Sequence, residues 1–177
     1  MRKKTFLKNI KKNKYNIYLS IAGLILAFFL IIFVKDRVSN YSLKKYENDI
    51  FIVRDKETQK SYSLKELRKK KDIKKKIKLN NGMEEVDVSG VPLEKLLGDL
   101  SYKLEESPEI IIEDSEGNTV NLPMSVALEV NRILVVYKIN GKANKDYDES
   151  LGTFALIDTT SKDKDSWIKD AKILNVQ

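Results

Sequence analysis

The chain contains no cysteine and no histidine in 177 residues, and each absence removes a block of chemistry. Without cysteine there is no disulfide, no thiolate nucleophile, no sulfur ligand for a metal and no acceptor for a lipoprotein anchor. Without histidine the commonest general base near neutral pH and the commonest metal ligand are missing as well. Oxygen donors are present in Asp163, Asp165 and Asp170, but Asp-Lys-Asp without the turn glycine and the distal glutamate does not make an EF-hand loop. There is no internal repeat, no low-complexity tract and no alternation of strand and helix of the kind that builds a parallel sheet.

One long uncharged run stands out. It extends from Tyr15 to Val34 behind a leader, residues 1–14, that carries Arg2, Lys3, Lys4, Lys8, Lys11, Lys12 and Lys14 and no anion. A helix needs roughly 20 apolar residues to cross a hydrocarbon core of about 30 Å, and this run meets that length. Tyr15 and Tyr18 fall where an interfacial aromatic belt sits, and Lys35-Asp36-Arg37 closes the far end. The excess of cations before the span predicts a cytoplasmic amino terminus and a carboxy-terminal domain outside the cell. A cleaved signal peptide has a similar beginning, but its apolar region is usually about 7–15 residues and ends at a small-residue site that is absent here. The reading is a basic cytoplasmic leader (1–14), a transmembrane anchor (15–34), a polar stalk (35–48) and an extracytoplasmic domain (49–177).

The formal charge of +7 follows from that topogenic signal. Residues 1–47 hold eleven Lys or Arg against Asp36 and Glu47, so the remaining 130 residues are net −2, which argues against a nucleic-acid surface. Within the domain, residues 48–78 hold twelve cations and five anions, and residues 79–177 hold ten and nineteen. The basic segment Lys65 to Lys78 and the acidic segment Glu105 to Glu116 are the candidate contact surfaces for an anionic partner, lipid headgroups or an envelope protein. The lysine- and asparagine-rich, cysteine-free composition fits an AT-rich Gram-positive bacterium.

A domain of about 130 residues buries about two-thirds of its unfolded surface and needs no staples. Ile50-Phe-Ile-Val53 reads as a strand, and Ser63-Leu-Lys-Glu66 as a capping box opening a short helix to about Lys70. Asn80-Asn81-Gly82 predicts a hairpin between Lys74–Leu79 and Met83–Val88, because both turn residues tolerate positive φ. Pro92 then leads into Leu93, Leu96, Leu97 and Leu100, which share one helical face. A second hairpin joins Glu109–Glu113 to Thr119–Leu122, Pro123 to Val130 gives a brief helical turn, and strands follow at Ile133–Ile139, Thr153–Ile157 and Ala171–Val176. Seven or eight strands with two short helices make the class α+β, mainly β.

The order Tyr62-Ser-Leu-Lys-Glu-Leu67, a hairpin, and Ser89-Gly-Val-Pro-Leu-Glu-Lys-Leu-Leu97 resembles the oxidoreductase molybdopterin-binding domain, the fold of the sulfite oxidase family. The resemblance continues through Ile110 to Val120, through Ile133 to Asn140-Gly141, and into Gly152, Trp167-Ile-Lys169 and the final Ile-rich strand, covering about residues 50–176. It implies a single transmembrane helix followed by a compact sulfite oxidase-like domain. In that family a cysteine just after the strand matching Lys74–Leu79 ligates molybdenum, whereas here that neighbourhood is Leu79-Asn80-Asn81-Gly82. An asparagine amide does not replace an anionic soft donor. The family's closing Gly-Pro-x-Arg and final proline are replaced by Gly152-Thr-Phe-Ala155 and Thr159.

The resemblance with these departures implies a non-catalytic relative with no cofactor, working as a binding or scaffold module in the cell envelope. The alternative it leaves open is an oxidoreductase that holds molybdopterin without a cysteine. Asn80, Asn81, Trp167 and Lys169 are then the cofactor-contact candidates, with the indole stacking on the pterin and the ammonium meeting its phosphate. A Ser-Lys hydrolase resembling type I signal peptidase needs no histidine, but its Ser-Met-x-Pro motif is absent and Pro123-Met124-Ser125 has the wrong order.

Overall fold

The computed structural model describes residues 2–100 and 109–177. The acidic loop around Glu105 lies outside the described residues. The chain divides into two units, residues 1–38 and 39–177. Helix α1 spans Arg2–Lys44, and within it Tyr15–Val34 is one 20-residue stretch, of mean hydropathy 2.9 and entirely exposed, that is long and apolar enough to cross a membrane.

The second unit contains two sheets. The first has the order β2-β1-β10-β5-β6, from β1 (Ile50–Arg54), β2 (Gln59–Ser63), β5 (Glu109–Asp114), β6 (Thr119–Pro123) and β10 (Ala171–Val176). Its one parallel pair joins the two ends of the domain, Ile52 opposite Ile173 and Arg54 opposite Asn175. The second sheet runs β3-β4-β7-β8, with β9 also on β7, from β3 (Ile73–Leu79), β4 (Glu84–Pro92), β7 (Ile133–Ile139), β8 (Lys142–Ala143) and β9 (Ala155–Asp158). Short helices α2 (Leu64–Leu67), α3 (Leu93–Leu97), α4 (Met124–Ala127) and α5 (Asn144–Tyr147) connect them.

Most expected elements form where the pattern places them. The capping box closes as predicted: Ser63 Oγ accepts from Glu66 N–H at 3.2 Å, and Glu66 Oε2 accepts from Ser63 N–H at 2.8 Å. α2 nevertheless stops at Leu67, after which Lys69 N–H and Lys70 N–H donate three residues back, to Glu66 O and Leu67 O, and tighten the last turn. Asn80 (φ 50°), Asn81 (φ 57°) and Gly82 (φ 88°) turn β3 into β4, as the Asn-Gly signal requires. Strand β2 and helix α5 were not expected: β2 buries only Tyr62, and α5 is four residues long.

Alternation sorts the side chains into two cores. The larger lies on the inner face of the first sheet, where Phe51, Val53, Ile110, Ile112 and Leu174 meet the leucines of α2 and α3. Phe51 and Phe154 contact at 5.6 Å between ring centroids. The smaller is enclosed by the second sheet, with Ile77, Leu79, Val86, Val88, Leu134 and Val136 around Trp167. The register of β4 on β7 shifts between Ser89 and Gly90, and there a Cβ on Gly90 would sit 2.4 Å from Val135 O and 2.8 Å from Val136 Cα. Gly90→Ala is expected to cost about 1–3 kcal/mol through this overlap, read as a lower denaturation midpoint with an unchanged denaturant slope.

The segment read as a stalk is structured in its second half. Residues up to Lys44 remain helical, and Ser42 and Leu43 are buried in the 39–177 unit. Asp146 of α5 is the reason. Its carboxylate accepts from Ser42 Oγ at 2.5 Å and from Tyr46 OH at 2.9 Å, with Lys45 Nζ at 3.5 Å, while Ser42 Oγ accepts from Ala143 N–H at 2.8 Å. The Ser42 hydrogen bond, then those from Tyr46 and Lys45, hold the Asp146 carboxyl below its usual range. A carboxyl lowered in the folded state stabilises above its unfolded pKa of about 3.9 and loses that contribution as pH falls through the folded value. Asp146→Asn is therefore expected to lower Tm by a few degrees at pH 7, with the gap to the parent closing toward pH 3 in a thermal-melt series.

Candidate functional site

β3 ends where the family resemblance calls for a sulfur ligand, and the local chemistry there is fully organised. Asn80 N–H donates to Lys162 O at 2.9 Å, which ties the turn to the segment between β9 and β10. Asn80 Nδ2 donates to Glu84 Oε2 at 3.4 Å. The other oxygen of Glu84 accepts from Lys164 Nζ at 2.5 Å, and Lys164 also reaches Tyr147 OH at 3.4 Å. The hydrogen bond from Lys164 to Glu84 is the main cause that raises the Lys164 pKa above its usual value.

The same segment carries Trp167 and Lys169. A 3-10 turn, Lys164–Ser166, is capped by Asp163, whose side chain accepts from Asp165 N–H. Ile168 then bridges to Leu156 through a reciprocal backbone pair at 2.9 and 3.0 Å. This anchor turns Trp167 inward, where it is 4% exposed among the apolar residues of the second core. Its Nε1 is buried without a hydrogen-bond partner among the described residues. Lys169 is exposed and acts on Asp148 only at the level of charge. Of the four candidates, Asn80 and Asn81 share an exposed turn with positive φ, Trp167 is core, and Lys169 is on the surface.

Molybdopterin is a phosphorylated, metal-bearing anion, and these residues do not fit it. The turn offers amides and the Glu84 carboxylate, Lys164 is committed to that carboxylate, and the indole face is covered by core side chains. No group of three or more metal-ligating side chains occurs among the described residues.

A second feature lies between the sheets. A cleft of about 340 Å³ runs beside β6, with residues 120–122 as one wall and Ile133, Leu156 and Ile168 as the other; Asp158, Ser161 and Ser166 add polar groups. Asp158 is paired with Arg132 at 3.0 Å, and the hydroxyls of Ser161 and Ser166 bond each other. No local pattern marks this cleft, since its walls combine residues 120–122 with Ile133, Leu156 and Ile168, which only the packing of the two sheets brings together.

The structure is similar to that of the sulfane dehydrogenase SoxCD from Paracoccus pantotrophus, with a TM-score of 0.55 and 17% identity. The match covers 74% of this chain but only 38% of that one. No protein-family model and no curated protein matches the sequence. At this identity the likeness is one of fold, and it agrees with the α+β, sulfite oxidase-like architecture read from the residues.

Because Trp167 is wrapped by core, its replacement reads as packing. Trp167→Ala is expected to cost about 3–5 kcal/mol in equilibrium unfolding, and Trp167→Phe much less, since the lost N–H makes no bond.

Proposed function

We propose that this chain is a membrane-anchored, extracytoplasmic relative of the sulfite oxidase-like molybdopterin-binding domain that works without catalysis, as a binding or scaffold module for a protein of the cell envelope. Residues 1–14 stay in the cytoplasm, residues 15–34 span the membrane, and the unit from 39 onward is presented outside. The excess of cations before the span supports this orientation.

One observation carries the non-catalytic reading. The turn that follows β3 presents Asn80, tied to Lys162 O and Glu84, where the family places a thiolate. A soft anionic donor tunes and holds the metal, and neither an amide nor a carboxylate already paired to Lys164 supplies it. The cleft beside β6 gives the module a place to bind, and a fold alone does not bring its relatives' chemistry along.

Metal analysis of the full chain purified from membranes tests the reading. Molybdenum is expected well below one atom per ten chains by mass spectrometry, and a stoichiometric content would overturn the proposal. In intact cells, added protease is expected to digest the 39–177 unit; its protection would reverse the orientation.

A further inference from the structure

β6 is an edge strand, and its free side faces the cleft. It pairs with β5 on one side only, Ile110 opposite Leu122 and Ile112 opposite Val120. Two bonds fix the phase of that ladder. Asp114 N–H donates to Asn118 O at 3.0 Å, and Gln177 N–H donates to Glu109 O at 3.2 Å on the other side of β5. Alternation then turns the main-chain groups of Val120 and Leu122 toward β5 and those of Thr119, Asn121 and Pro123 outward. No backbone partner is recorded for the outward groups among the described residues. Pro123, which has no N–H to offer, stands at an outward position, where an edge strand tolerates it.

Side chains on the same strand are uncovered. Val120 shares the inner face of the sheet with buried Ile110 and Ile112, yet it is 45% exposed at the cleft. The two sheets thus part at this edge and leave core-facing apolar surface open.

The chain treats its edges differently. β3, an edge of the second sheet, carries Lys74, Lys75, Lys76 and Lys78, a pattern that discourages pairing with another strand. β6 reads Thr-Val-Asn-Leu-Pro with no charge at all. Acidic groups flank it on its own sheet instead: Glu109 opposite Pro123 and Glu113 opposite Thr119 on β5, while in the segment across the cleft Asp163 and Asp165 alternate with Lys162 and Lys164.

We infer that the cleft beside β6 binds an extended, basic peptide segment of a partner protein, which adds to the sheet as a further strand and places apolar side chains between the two sheets. This rests on the module reading above and names its binding surface. Strand addition takes affinity from main-chain hydrogen bonds and specificity from pockets for alternate side chains. The occupant must bring N–H and C=O groups in register with Asn121, which an apolar small molecule does not. The volume of about 340 Å³ is at the bottom of the range of about 300–1,000 Å³ for small-molecule sites and suits one or two aliphatic side chains.

The test uses the full chain in nanodiscs of zwitterionic lipid, with empty nanodiscs as control, and a fluorophore-labelled Lys-Val-Lys-Leu-Lys amide read by anisotropy. Two further peptides carry N-methyl groups on alternate amides, one on the valine and leucine, the other on the lysines. A strand added to a single edge uses only one alternate set. Saturable binding is expected, with one methylated peptide weakened at least tenfold and the other within about threefold of the parent. Asn121→Pro, at an exposed outward position, is expected to weaken the unmethylated peptide at least tenfold with an unchanged Tm. Absence of saturable binding, equal binding of all three peptides, loss of both methylated ones, or indifference to Asn121→Pro would each overturn the inference. Molybdenum content separates this failure from that of the module reading: a metal-free chain that ignores the peptide loses only the cleft assignment.

Discussion

The parallel pairing of β1 with β10 is the constraint on which the domain depends. It joins residues 52–54 to 173–175 and makes the first sheet a single surface, with β10 then carrying the β5–β6 hairpin. Without it β1 and β2 form an isolated two-stranded ribbon, which is marginal in water by itself. Closing so long a loop is entropically unfavourable until the inner-face residues Phe51, Val53, Leu174 and Val176 bury together. The Phe51–Phe154 contact adds a tie from the same strand to the segment leading into β9. The inter-sheet cleft also depends on this closure, since β6 reaches its place only through β10 and β5.

The turn after β3 joins parts of the domain that lie far apart in the chain. The hairpin brings residue 80 against the 162–169 segment, so Asn80 and the Trp167 region lie close in the structure although far apart in sequence. The contacts formed are those of stability: an amide on a carboxylate, a carboxylate on an ammonium, and an indole in a core. The Lys164–Glu84 pair is over a third exposed on both sides, so it is worth little by itself. Its effect is to commit Lys164 and Glu84 to each other.

Much of this architecture was legible in the residues because the strong signals were local. The Asn-Gly turn, the capping box and the Ile- and Val-rich runs each carry their own physics, and each appears as an element. β2 was not legible because Gln-Lys-Ser-Tyr-Ser has a single apolar residue, and only its place beside β1 makes it a strand. The helical end at Ser42 was missed for a related reason. A serine and a leucine in a polar stretch look like spacer until Asp146, a hundred residues on, supplies their partner. Of the site candidates, the exposed asparagine turn was readable from its φ preference, whereas the burial of Trp167 is decided by Ile168 pairing with Leu156. The cleft required both sheets in place.

α5 shows how four residues can join parts of the domain that share no strand. Asn144 is fully buried, and its Nδ2 donates to Val136 O at 2.8 Å and to Thr153 O at 3.3 Å, which fixes the helix on the second sheet. Thr153 in turn donates to Asp49, at the start of the first sheet, and Asp49 lies 3.8 Å from Lys145. Asp146, one residue on, holds Ser42 and Tyr46. The three neighbours 144, 145 and 146 thus engage the second sheet, the entry to the first, and the end of α1. The Oδ1 of Asn144 has no partner among the described residues, a cost that a purely apolar residue would avoid. An apolar residue would give up both amide bonds, and with them the orientation that aims Asp146 at Ser42; the unsatisfied oxygen is the consequence of using one side chain to set that direction.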